Sequence, residues 1–78
     1  MRMERYANLG GHGGIVAYGI GPGSIRVRFR DGGTYTYDHV KPGRPHVEAM
    51  QRLARAGRGL TTYINQNVRD NYASKDDD

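Results

Sequence analysis

Arg26, Arg28 and Arg30 alternate with Ile25, Val27 and Phe29. Alternation on a strand sends all three guanidinium groups to one face, about 7 Å apart. Guanidinium is planar, forked and always charged, so such a row suits phosphate or carboxylate oxygens, and without an anion it repels itself mildly. Tyr35 and Tyr37 stand at the same two-residue spacing beyond Asp31-Gly32-Gly33. Rings set beside guanidinium groups can stack on unpaired bases while the arginines hold the phosphates. Arg52 and Arg55 lie together off the apolar stripe of a later segment, and Asn65, Arg69 and Tyr72 recur at i, i+4 and i+7. The candidate nucleic-acid-binding residues are therefore Arg26, Arg28, Arg30, Tyr35, Tyr37, Arg52, Arg55, Asn65 and Arg69.

Other reactive residues do not assemble into a known chemistry. His12, His39 and His46 share no i,i+4 spacing, so no metal site is expected. Ser24 and Ser74 sit in a turn and near the end of the sequence with no implied His–carboxylate partners, and the absence of Cys removes thiol nucleophiles. Asp31 and Asp38 belong to a turn and a strand end. Gly10-Gly11-His12-Gly13-Gly14 lacks the preceding strand and following helix of a phosphate-cradling loop. No enzyme activity and no cofactor are expected.

The elements that must carry these side chains are legible from punctuation and period. Residues 1–14 read as a flexible Gly-rich arm. Ile15-Val16-Ala17-Tyr18-Gly19-Ile20 is β-prone, Gly21-Pro22-Gly23-Ser24 is a turn, and Ile25-Arg26-Val27-Arg28-Phe29-Arg30 and Thr34-Tyr35-Thr36-Tyr37 are strands joined through an Asp-Gly hairpin signal. From Arg44 the period changes. Val47, Met50, Leu53 and Ala54 form one helical stripe, with Pro45 in the first turn, a Glu48–Arg52 pair at i,i+4, and Gly57 suited to the left-handed stop. Leu60, Ile64, Val68 and Tyr72 form the row of a second helix, capped by Thr61 or Thr62. The expected fold is α+β, a three-stranded antiparallel β-meander followed by two packed helices (βββαα), spanning residues 15–72, with residues 73–78 an acidic disordered tail. Val27, Phe29, Val47, Met50, Leu53, Ile64 and Val68 are its expected core.

Hairpin register decides where the tyrosines point. A two-residue Asp31-Gly32 loop pairs Arg28 with Tyr35 and puts both tyrosines on the arginine face. A three-residue Asp31-Gly32-Gly33 loop pairs Phe29 with Tyr35 and Val27 with Tyr37 and buries them. The sequence leaves both open.

Composition bounds the partners. The chain has 78 residues, one small domain, with 12 Lys+Arg against 8 Asp+Glu. Setting aside Asp76, Asp77 and Asp78 leaves 12 − 5 = +7, and ten of the twelve cations are Arg. That balance favours nucleic acid or an acidic protein as partner. No apolar run approaches the ~20 residues of a membrane span and the first residues lack a signal-peptide core, so a soluble, cytoplasmic protein with no membrane partner is expected.

Residues 15–72 resemble the KTSC domain, the short module named for the C-terminus of some lysyl-tRNA synthetases and also found free-standing in bacteria. The likeness rests on Tyr18 and Ile25, Val27-x-Phe29, Gly32 followed by Tyr35-Thr36-Tyr37, and Gly59 before Tyr63-Ile64-Asn65-x-x-Val68-Arg69-x-x-Tyr72. Two departures are the longer link Val40–Pro45 and Ile64 in place of an aromatic. The resemblance implies a non-catalytic module with an RNA-associated context and supplies no catalytic residues.

Two function classes follow. One is a module binding RNA or single-stranded DNA through an Arg/Tyr surface. The other is a protein-interaction or accessory module, monomeric or homodimeric, using the basic face or a sheet edge.

Overall fold

A two-residue turn at Pro22-Gly23, with Gly23 at φ 69°, folds β2 (Ile15–Gly21) back on β3 (Ser24–Phe29), and a second turn folds β3 on β4 (Thr34–Asp38). In this computed structural model, which describes residues 2–9 and 13–76, those three strands form the expected meander. The sheet is wider than expected. β1 (Glu4–Arg5), from the expected arm, pairs with β2, and β5 (Ser74–Asp76), from the expected tail, pairs with β4, giving a five-stranded antiparallel sheet in chain order. Met1, Gly10, Gly11 and His12 of the arm, and Asp77 and Asp78 of the tail, lie outside the described residues.

The β3–β4 register is neither of the two expected. Val27 faces Tyr35 and Ile25 faces Tyr37, so the loop is Arg30-Asp31-Gly32, closed by Phe29 N–H to Gly33 C=O at 2.8 Å. Asp31 accepts from the Gly33 N–H at 3.1 Å, and Gly32 takes φ 102°, the positive φ that ends a three-residue hairpin loop. Tyr35 and Tyr37 therefore share the apolar face with Val27 and Ile25.

The helix α1 (Arg44–Ala56) carries Pro45 in its first turn and stops at Gly57, whose φ of 81° is left-handed. It buries Val47, Met50 and Ala54 against the sheet, with Leu53 half-buried beside them. Glu48 accepts from Arg44 at 3.0 Å instead of from Arg52, since Arg44 reaches it from the preceding turn. The second helix is shorter than its apolar row implied. α2 (Leu60–Tyr63) starts at Gly59 with no side-chain cap, so neither Thr61 nor Thr62 caps it, and runs on as one π-helical turn, Ile64–Val68. Arg69 and Tyr72 lie past that turn rather than on a helix edge shared with Asn65.

Leu60, Ile64 and Val68 enter the same core as Ile15, Tyr18, Ile25, Val27 and Tyr37; Phe29, like Leu53, is only half-buried at its margin. Tyr6 from the arm is 4% exposed, lies edge-on to Tyr18 at 6.4 Å, and accepts from the Leu60 N–H at 3.2 Å. The arm continues across Gly57, where an added Cβ would come 2.9 Å from that of Ala7. The helices thus occupy one face of the sheet. No described helix is long and apolar enough to cross a membrane.

Candidate functional site

Because paired residues share a face, the register assembles the uncovered side of the sheet row by row. One row reads Arg5, Ala17, Arg28, Thr34, Asp76, and the next reads Gly19, Arg26, Thr36, Ser74. Apart from the charged groups, its residues are small. Arg26, Arg28, Thr34 and Met3 frame a shallow concavity of about 260 Å³. Thr34 is 8% exposed there and Arg28 is exposed. Arg26 donates to the Asp76 carboxylate at 3.3 Å, reaching across β4. This pair is partly in water, where ion pairs contribute only ~0.2–1 kcal/mol, so an incoming anion can displace the carboxylate.

The opposite side of the sheet carries a second concavity, of about 210 Å³, at the hairpin end. Its walls are Phe29, Tyr35, Tyr37 and Ile64, and its remaining lining is Asp31, Asn65, Arg69 and Asp70. Tyr35 meets Phe29 edge-on at 5.2 Å and Tyr72 at 5.0 Å, and the Lys75 ammonium sits 5.3 Å from the Tyr35 ring centre. Tyr37 is fully buried, and its hydroxyl has no hydrogen-bond partner among the described residues. Burial pushes that hydroxyl far above the ordinary tyrosine value of 10.0, with Tyr35, Asp70 and Tyr72 adding to the shift. It is therefore neutral, and a donor, throughout the physiological range.

The expected single Arg/Tyr surface is thus divided. Arg26 and Arg28 lie on the open face, Arg30 is exposed in the hairpin loop, Tyr35, Tyr37, Asn65 and Arg69 line the cleft, and Arg52 and Arg55 are exposed on α1. The physical cause is the Val27–Tyr35 pairing, which turns the tyrosines away from the arginines. Arg5 and Thr34 on the open face, and Phe29, Asp31, Ile64 and Asp70 in the cleft, were not singled out as site residues. Arg5 belongs to a two-residue strand with no alternation to announce it, and the cleft residues come from separated segments.

Asp38 and His46 are committed to structure. Asp38 accepts from the Val40 and Lys41 N–H groups at 3.0 and 2.8 Å, and His46 shares a 2.7 Å hydrogen bond with Tyr63. Among the described residues no group of three or more His, Cys, Asp or Glu side chains is placed to hold a metal ion, and His12 lies outside them. Comparison of the chain with protein-family models, curated proteins and solved structures found no match.

Proposed function

We propose that this chain is a non-catalytic cytoplasmic module, of KTSC type, that binds single-stranded nucleic acid, RNA above all, through the helix-free face of its sheet. The observation that carries the reading is the concavity framed by Arg26 and Arg28, with Arg5 in the same cross-strand row as Arg28. Small neighbours leave the guanidinium groups accessible to a phosphate chain, and the net charge of +4 draws a polyanion in from solution. Tyr35 and Tyr37 take no part on this face, so contact there is with phosphate and carries little sequence information.

The test is a titration with short single-stranded RNA, single-stranded DNA and duplex DNA at two salt concentrations. Three phosphate contacts, from Arg5, Arg26 and Arg28, give a log K that falls with log salt at a slope of roughly −2 on single strands. Tight binding that ignores salt contradicts the reading. A second reading, protein interaction or self-pairing at the sheet edge, is favoured by β5. That strand is the last in the sheet order, pairs along its inner side with β4 and is exposed at all three residues, which is a template for a further strand.

A further inference from the structure

We propose that the cleft between the β3–β4 hairpin and the segment after α2 takes one unstacked nucleobase of the strand whose phosphates lie on the arginine face. The inference rests on the nucleic-acid reading above and adds to it a second site on the other side of the sheet. Its volume, about 210 Å³, is below the ~300–1,000 Å³ of pockets for drug-sized ligands, so it suits a single ring system.

The lining selects the chemistry. Phe29, Tyr35 and Ile64 supply an aromatic and aliphatic wall of the kind that receives a flat ring. The Tyr37 hydroxyl is fully buried, protonated and without a partner among the described residues, and a buried donor of this kind is costly unless an acceptor reaches it. A base carbonyl or ring nitrogen is such an acceptor. At the exposed rim, Asn65 offers both a donor and an acceptor, and Asp70 an acceptor for N–H groups. The lining carries one guanidinium, that of Arg69, and two carboxylates, those of Asp31 and Asp70, so the rim does not favour a bare phosphate. A neutral ring edged with carbonyl and N–H groups fits this balance.

The hairpin connects the two sites. Phe29 lines the cleft, whereas Arg28, its neighbour in β3, lies on the arginine face, and exposed Arg30 stands in the loop between them. A strand turning around the loop keeps a cation beside its backbone along that path.

The experiment compares a mixed-sequence single strand of about ten nucleotides, within the ~4–16 nucleotide range of known single-strand sites, with an abasic strand of the same length and phosphate count. Free nucleosides form a third arm, and binding is followed by affinity and by NMR shifts of the whole chain. The base-bearing strand is expected to bind more tightly than the abasic one and to shift Phe29, Asn65 and Arg69. Tyr37→Phe, which keeps the ring, is expected to weaken the base-bearing strand roughly two- to tenfold, the worth of one hydrogen bond, and to leave the abasic strand unchanged. Equal affinity for both strands, untouched by Tyr37→Phe, overturns the cleft while leaving the phosphate reading in place. Nucleoside shifts in the cleft without any strand binding support the cleft as a base site and overturn both the arginine-face reading and the connecting path. No response to strands or nucleosides overturns both.

Discussion

The Arg26 guanidinium and the Asp76 carboxylate lie 3.3 Å apart although β4 runs between their strands. The Thr34–Asp76 pairing places this carboxylate in the same cross-strand row as Arg28. One end of the acidic run Asp76-Asp77-Asp78 thus lies on the face proposed for phosphate and occupies one of its arginines.

Removing that competitor should strengthen binding. Asp76→Asn keeps the side-chain size and the strand pairing but frees Arg26. Single-strand affinity at low salt is expected to rise by up to about fivefold, matching the ~0.2–1 kcal/mol of a partly exposed ion pair. A fall in affinity would show that Asp76 does not compete with the ligand.

Two buried tyrosines should respond oppositely to loss of the hydroxyl. Tyr6 accepts from the buried Leu60 N–H, so Tyr6→Phe strands that donor and should cost about 1–3 kcal/mol in denaturant unfolding. The Tyr37 hydroxyl has no partner among the described residues, so Tyr37→Phe should leave stability unchanged or raise it. Loss of stability in the Tyr37 variant as large as in the Tyr6 variant would mean that its hydroxyl is satisfied within the fold.

Alkaline pH provides a second probe of Tyr37. Its hydroxyl titrates above the ordinary 10.0 in the folded chain, so on raising the pH the unfolded chain loses this proton first. The stabilisation linked to this proton is therefore complete below about pH 10 and declines above it, by up to ~1.4 kcal/mol per pH unit. In unfolding measured between about pH 9 and 11.5, Tyr37→Phe should lose less stability than the parent. Parallel curves for the two proteins would count against a buried, raised hydroxyl.

The alternation around Arg26 and Arg28 and the stripe Val47, Met50, Leu53, Ala54 made β3 and α1 legible, because each pattern is long enough to fix its own period. The hairpin register was not. Asp31-Gly32 advertises a two-residue loop, but the Asp31 side chain binds the Gly33 N–H and draws Arg30 into a three-residue loop, turning Tyr35 and Tyr37 inward. β1 and β5 carry no pattern of their own and exist because the outer strands of the meander offer them backbone partners. The cleft was legible in pieces: Tyr35, Tyr37, Asn65 and Arg69 are all in it, but only packing brings them to Phe29 and Asp70.

The most direct measurement is single-stranded RNA affinity of the Arg26→Glu/Arg28→Glu variant at low salt, with circular dichroism and thermal unfolding on the same sample. Both side chains lie on the helix-free face, outside the apolar core, so the fold should survive. The expected result is a parent-like spectrum with affinity lowered at least about a hundredfold, from two charge-assisted contacts of roughly 1.5–3 kcal/mol each. Unchanged affinity in the folded variant would contradict nucleic-acid binding by this face.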